Sequence, residues 1–185
     1  MMTDIDLVRP DIAYKESYLT ALNEIQDASE KSAWIYLGDS APLDIPQNDF
    51  SAYVDTLLQR ETQPPPEFVC DTIYWAVHKG EVAGRISIRH ELNDFLRKVG
   101  GHIGYITRPS WRGKGVASEM LEKILDTEKA KSIGNLLLTC DENNSASEKT
   151  IIKNHGKYEG TFSAGPNRSA KKHFWINLKA PFDHK

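Results

Sequence analysis

The order of elements readable in these 185 residues predicts a mixed α/β fold in one domain. Three observations carry that reading. Residues 12–25 and 50–58 repeat apolar side chains at helical spacing. Residues 68–90 switch to strand character around a Lys79-Gly80 turn, the pattern of an antiparallel hairpin. Residues 101–140 then read strand, helix, strand, which implies one parallel pair joined by a right-handed crossover.

In chain order, residues 4–9 alternate and suit a first edge strand before Pro10. Tyr14, Tyr18, Leu19, Leu22 and Ile25 define a first helix. Residues 31–46 are mixed, with Trp34, Ile35 and Tyr36 among turn residues and a loop bracketed by Pro42 and Pro46. Phe50, Tyr53, Val54, Leu57 and Leu58 mark the next helix, with Asn48 or Asp49 as N-cap, and Gln63-Pro64-Pro65-Pro66 ends it. The hairpin strands cover residues 68–78 and 82–90. Residues 91–100 suit a helical turn. Ile103, Tyr105 and Thr107 alternate along an opening strand that Pro109 terminates. Val116, Met120, Leu121, Ile124 and Leu125 predict an amphipathic helix to about Ser132, stopped by Gly134. Residues 136–140, Leu-Leu-Leu-Thr-Cys, read as a strand buried on both faces. A short helix over residues 145–154 and two terminal strands, 158–163 and 173–178, complete the chain, with Gly165-Pro166-Asn167 between the strands.

Composition sets limits on function. A net charge of -3 provides no global attraction to nucleic acid or an anionic membrane, so an anion site must be local. Cys70 and Cys140 lie far apart without metal-ligand spacing, which argues against zinc and implies no disulfide framework. No apolar run approaches the ~18 residues of a membrane span. The start, Met1-Met2-Thr3-Asp4-Ile5-Asp6, lacks a basic region followed by an apolar one, so a soluble cytoplasmic protein is expected.

The stretch carrying chemistry is residues 101–117. A strand leads into the basic, glycine-rich turn Arg112-Gly113-Lys114-Gly115-Val116-Ala117, and a helix follows directly. Unpaired N–H groups and roughly +0.5 charge at a helix N-terminus make an anion site, and a phosphate-bearing cofactor is the expected ligand. A P-loop fails, because Gly115 follows Gly113-Lys114 and Arg108 stands at the earlier glycine position. The dinucleotide fingerprint fits in part, with Ser118 at its third glycine, and needs a parallel sheet that the hairpins oppose.

A third pattern, [RQ]-x-x-G-x-[GA], is met in full. Together with the preceding strand, the following helix and apolar strand, and the later Asn144-x-x-Ser147 and Lys153, it resembles the GNAT N-acetyltransferase superfamily over about residues 68–178. Arg89-His90-Glu91-Leu92-Asn93 and the Gly-Gly-His-Ile-Gly-Tyr strand look most like a bacterial branch known mainly as predicted acetyltransferases. The resemblance implies the GNAT fold, a mixed, mostly antiparallel sheet of about six to seven strands flanked by helices, with a splayed central parallel pair. It implies one N-acetyltransferase domain over residues 1–185, with residues 1–66 as a helical acceptor-side segment and 67–178 as the hairpin and acetyl-CoA-binding core.

The resemblance also assigns expectations to residues. Amides of Gly113, Lys114, Gly115, Val116 and Ala117 would hold the pyrophosphate of acetyl-CoA, with charge from Arg112 and Lys114. Backbone groups near Ile106 and Thr107 would pair with the pantetheine arm, and Asn144 would touch the cofactor. Ser147 would reach the thioester region or simply pack. An alkyl amine with pKa near 10.4 is neutral only about once in 10³ at pH 7, which costs ~4–5 kcal/mol, so a general base matters. His102 stands one residue before the Ile-Gly-Tyr core, where many relatives carry Glu, and is the base candidate. A Tyr that often acts as acid in the family is replaced by Ile151; Tyr158 and Tyr105 remain without support from spacing.

The expected partners are acetyl-CoA and the amine of a small molecule or peptide, by direct attack in a ternary complex, with no metal, nucleic acid or membrane; a homodimer is allowed. The competing readings are an acyl-CoA-binding or sensing domain without turnover, and a nucleotide-binding enzyme using the partial G-x-G.

Overall fold

A computed structural model describes residues 4–35, 44–166 and 168–179. Among these, seven strands form two antiparallel sheets. The first has the order β1 (Asp6–Val8), β2 (Asp71–His78), β3 (Glu81–Arg89) and β4 (Ile103–Thr107). The second contains β5 (Asn135–Asp141), β6 (Lys157–Phe162) and β7 (Lys171–Asn177), with β7 in the middle. The hairpin turn is as expected: Lys79 and Gly80 both take positive φ, 47° and 83°, the combination that matches the twist of paired strands.

Helices α1 (Lys15–Glu24), α2 (Ala28–Ile35), α3 (Ile45–Asn48) and α4 (Phe50–Gln59) precede the hairpin; α5 (Val116–Leu125), α6 (Glu128–Ile133) and α7 (Ser145–Lys153) follow it. Asp49 caps α4 by accepting the Ala52 N–H at 3.0 Å. Two helices differ from the sequence reading. Residues 28–35 are helical although only Trp34 and Ile35 at the far end are buried, so no apolar stripe advertises them. Asp27 starts that helix by accepting the Glu30 N–H at 2.9 Å. The single helix expected to reach Ser132 is broken at residues 126–127, where Thr127 Oγ1 bonds the Ile124 carbonyl and accepts the Ala130 N–H, ending α5 and opening α6. The loop expected between Pro42 and Pro46 gives way at its end to α3, where Ile45 and Pro46 are helical because proline suits the first turn of a helix; Pro42 and Asn167 lie outside the described residues.

Strand periodicity gives the first sheet two buried faces. Ile86 and Ile88 of β3 join Met120, Leu121 and Ile124 of α5 in one core, which continues to Leu136, Leu138, Ile151 and Phe174 of the second sheet and α7. Ile73, Trp75 and Val77 of β2 face the other way and meet Tyr18, Trp34, Phe50 and Tyr53 of the N-terminal helices. Beside that second core, Arg60 and Asp71 form an ion pair of 2.8 Å with both side chains almost fully buried.

Candidate functional site

The two sheets meet at the N-terminal end of β4. Gly101 turns the chain there with φ of 62°. The His102 N–H donates to the Leu137 carbonyl at 2.7 Å, and the Leu137 N–H donates to Nδ1 of the His102 ring at 2.9 Å. Because Nδ1 accepts, the neutral ring carries its proton on Nε2. Burial, then the charge of Arg89, pushes the imidazole pKa down to about 4. The ring is neutral at pH 7, but its lone pair is already bound to Leu137.

Beyond that seam β4 and β5 belong to separate sheets and a gap opens. Arg89 N–H donates to His102 O, and Arg108 N–H donates to Ala83 O. With the register Ser87↔Gly104 and Arg85↔Ile106, the alternation of an antiparallel ladder directs the N–H and C=O of Gly104 and Ile106 to β3. Those of Ile103, Tyr105 and Thr107 face the gap. Of the two residues expected to offer backbone groups there, Thr107 does and Ile106 does not. Its own groups are taken by β3.

Cavities open on both faces of β4. One of about 200 Å³ lies on the α7 side, lined among others by Gly104, Tyr105, Thr139, Cys140, Asn144 and Ser147. Another of about 160 Å³ lies on the side of the N-terminal helices, lined by Ala33, Arg85, Ser87 and Arg89 and again by Gly104 and Tyr105. The same two residues are thus reached from opposite directions. A wide turn over residues 96–101, closed by the Gly101 N–H on the Leu96 carbonyl five residues back, borders the first cavity. Thr139 Oγ1 fastens it through the Val99 carbonyl at 2.6 Å.

At the other end of β4 the turn into α5 forms a cradle. Gly113 and Gly115 have φ of 74° and 87°, a region L side chains avoid, and a Cβ built on either meets nothing within 4 Å. No side chain caps α5, so the first-turn amides of Val116, Ala117 and Ser118 stay available. Open space before uncapped amides at the positive end of a ten-residue helix fits a phosphate or pyrophosphate. Lys114 Nζ lies 5.0 Å above the Trp111 ring. Arg112 points elsewhere than expected: it pairs with Glu30 of α2 at 2.9 Å and reaches the Thr107 carbonyl through Nε. The cradle is tied to α1 as well, since Glu24 accepts from Arg108 and from the Ser110 N–H.

Asn144 caps α7, its Oδ1 accepting the Ser147 N–H at 3.0 Å. Its Nδ2 amide remains the group with which it would meet a ligand. Ser147 Oγ lies 2.7 Å from the Tyr105 hydroxyl, and burial pushes that phenol up to about 12. Ile151 is fully buried in the core. The structure therefore brings Tyr105, Asn144 and Ser147 to one cavity, with the residue 112–117 cradle at the far end of the same strand. From the sequence, Tyr105 stood only as a tyrosine without support from spacing, Arg89 only as part of the run that resembles the family, and Arg85 was given no role. The signal for the arginines was present in Arg85-Ile86-Ser87-Ile88-Arg89, where period two puts both charges on one face of a buried strand. Among the described residues no group of His, Cys, Asp and Glu could hold a metal ion, and no helix is long and apolar enough to cross a membrane.

A family model described as the acetyltransferase (GNAT) family matches residues 33–156. No curated protein sequence matches the chain. Among solved structures, a microcin C7 self-immunity acetyltransferase, MccE, in complex with acetyl-CoA and AMP superposes with a TM-score of 0.64 at 17% identity, covering 94% of this chain and 92% of that one. An acetyltransferase from Salmonella typhimurium, which modifies the N-terminal serine of ribosomal protein L7/L12, gives 0.62 at 17% identity with 95% of each chain covered. A ribosomal L7/L12 α-N-protein acetyltransferase in complex with coenzyme A gives 0.59 at 19% identity with 97% of each covered. At these identities the likeness is one of fold.

Proposed function

The chain belongs to the GNAT acetyltransferase family, and on that premise we propose that it moves an acetyl group from acetyl-CoA to a primary amine by direct attack. The observation that carries the proposal is the geometry of β4. An uncapped helix N-terminus behind two left-handed glycines stands at one end of a gap whose walls expose the backbone of Tyr105 and Thr107. Cavities reach Gly104 and Tyr105 from both faces, so a cofactor arm and an acceptor can meet there without exchanging places. Two solved relatives in fold hold acetyl-CoA or coenzyme A, which supports the choice of cofactor.

Residue roles follow. The amides of residues 113–117 hold the pyrophosphate, and the backbone of Tyr105 and Thr107 pairs with the pantetheine arm as an added strand would. Asn144 and Ser147 line the arm from α7. When bound, acetyl-CoA supplies a thioester: the amine nitrogen forms the C–N bond, the C–S bond breaks, and its electron pair leaves on sulfur. The Tyr105 hydroxyl donates a hydrogen bond toward the departing sulfur, with Ser147 donating to the phenol oxygen behind it. A phenol pushed up to about 12 facing a thiol near 8.5 would lose about 5 kcal/mol by giving up its proton. Tyr105 therefore stabilises charge and keeps its proton; the sulfur takes its proton, and the amine loses one, through solvent. His102 serves as the clasp between sheets rather than as base, because its Nδ1 lone pair holds Leu137.

The test is calorimetric titration with acetyl-CoA and with dinucleotides, followed by release of free CoA thiol in the presence of an amine panel. Binding of acetyl-CoA with amine-dependent thiol release supports the proposal. Dinucleotide binding without acetyl-CoA binding overturns it, and binding without turnover of any amine would make the chain an acyl-CoA sensor.

A further inference from the structure

One cavity stands apart from the acetyl-transfer site and is lined only by charged residues. It is an open depression of about 480 Å³ between α5 and the chain leading into β1, with Asp4, Glu119, Glu122, Lys123 and Asp126 around it. Its buried member is Glu119, which sits in the first turn of α5 and is only 5% exposed. Oε1 accepts the Ile5 N–H at 2.9 Å, while Oε2 accepts no hydrogen bond among the described residues. Lys123 supplies charge, but its Nζ stands 4.0 Å from Oε1, beyond the roughly 2.7–2.9 Å of a charge-assisted hydrogen bond. Folded proteins leave few buried carboxylate oxygens without a donor, so Oε2 marks a place where a donor from outside the chain belongs. The surroundings favour a cationic one. Glu119, Glu122 and Asp126 are spaced three and four residues apart and share one side of α5, about 5–6 Å from one to the next. Glu122 is exposed and has no ion pair among the described residues; Asp126 pairs with Lys131 at 2.7 Å. Asp126 is also the C-cap of α5, where the helix dipole adds to its negative charge. These carboxylates do not converge as metal ligands would. They form a row.

We infer that this row is a binding site for a linear polyamine, with one ammonium group donating to Glu119 Oε2 and the next ones meeting Glu122 and Asp126. Ammonium groups separated by three or four methylenes match the spacing of carboxylates one helical turn apart. The polyamine displaces the Lys123 ammonium, which offers Glu119 charge without a hydrogen bond. The site does not rest on the acetyl-transfer reading. It lies on the face of the first sheet that packs against α5, whereas the cavity of about 160 Å³ opens on the other face toward α2.

The experiment is calorimetric titration of the full chain, without acetyl-CoA and at physiological ionic strength, with spermidine, butylamine and magnesium chloride. One spermidine should bind per chain with a sub-millimolar dissociation constant, about tenfold or more tighter than butylamine or magnesium. Glu122→Gln, at an exposed position, should weaken spermidine binding about threefold. Lys123→Met keeps the aliphatic stem and removes the competing charge, so it should tighten binding by about the same factor. Glu119→Gln, whose Oε1 can still accept the Ile5 N–H, should weaken it about tenfold or more. The Glu122 and Lys123 variants decide the matter whether or not the Glu119 variant folds. Absence of saturable spermidine binding overturns the inference, as does magnesium binding equally tightly. Spermidine affinity unchanged in both Glu122→Gln and Lys123→Met places the polyamine elsewhere on the protein and overturns it too.

Discussion

Nδ1 of His102 accepts the Leu137 N–H at 2.9 Å while the Leu137 carbonyl accepts the His102 N–H at 2.7 Å. This reciprocal pair is where the first sheet touches the second, and it sets the point from which β4 and β5 diverge. A ring buried to 7% exposure and bonded in this way makes separable predictions about stability and about pH.

Replacing His102 with Ala leaves the buried Leu137 N–H without its acceptor, which should destabilise the fold by about 1–3 kcal/mol. His102→Asn, whose Oδ1 can accept in place of Nδ1, should recover part of the loss. Urea denaturation of the three proteins checks both.

The folded His102 titrates near 4 against an ordinary 6.5. Between those values the unfolded chain binds the extra proton and the folded chain does not. The stability contributed by this ring is therefore fully present above pH 6.5 and is lost as pH falls toward 4, by about 3 kcal/mol in all. The wild-type stability–pH curve should be steeper over that window than that of His102→Asn. Parallel curves would remove the ring from the account.

Gly115→Ala forces a side chain into a left-handed conformation and should lower stability by about 1–2 kcal/mol. The added methyl also enters the space before the α5 amides, so acetyl-CoA affinity should drop about tenfold or more. Calorimetry alongside denaturation separates the two effects.

Tyr105→Phe removes the donor proposed to face the departing sulfur. The expected fall in kcat is about 10²-fold, with the acetyl-CoA dissociation constant moving much less. Since the phenol is pushed up to about 12, ionisation of Tyr105 should cause no loss of wild-type rate between pH 7 and 10. Single-turnover kinetics across that range tests both statements.

Asp71→Ala strands the buried Arg60 guanidinium and should destabilise the protein by about 3–5 kcal/mol. Replacing both partners with apolar residues of similar volume should cost much less. Chemical denaturation of the single and double variants gives the comparison.

Where periodicity was strong, the sequence reading and the structure agree: β2, β3, β4, α4, β5 and the glycine turn into α5 stand where apolar spacing, turn residues and glycines put them. Helix α2 was hidden because its buried residues cluster at one end, and the break at Thr127 because one hydroxyl redirected the last carbonyls of α5. Within the site, the turn at residues 113–115 was legible because it is built from backbone conformation that glycine marks directly. Side-chain partners across the fold were not. That Nδ1 of His102 belongs to Leu137, or that Arg112 turns to Glu30, depends on elements far apart in sequence, as does the meeting of Tyr105 with Ser147.

The gap between β4 and β5 also bears on how the protein avoids self-association. Each of these strands presents an unpaired edge, and such edges recruit strands from other chains when they lie on a surface. Here the two edges face each other inside one molecule. They are joined at His102 and flanked by α7 and the turn over residues 96–101. A molecule that offered backbone-like donors and acceptors to these edges would add hydrogen bonds to both sheets at once. Ligand binding should then stiffen the two sheets as a unit, with backbone amides of residues 103–107 and 137–141 exchanging more slowly once the slot is filled.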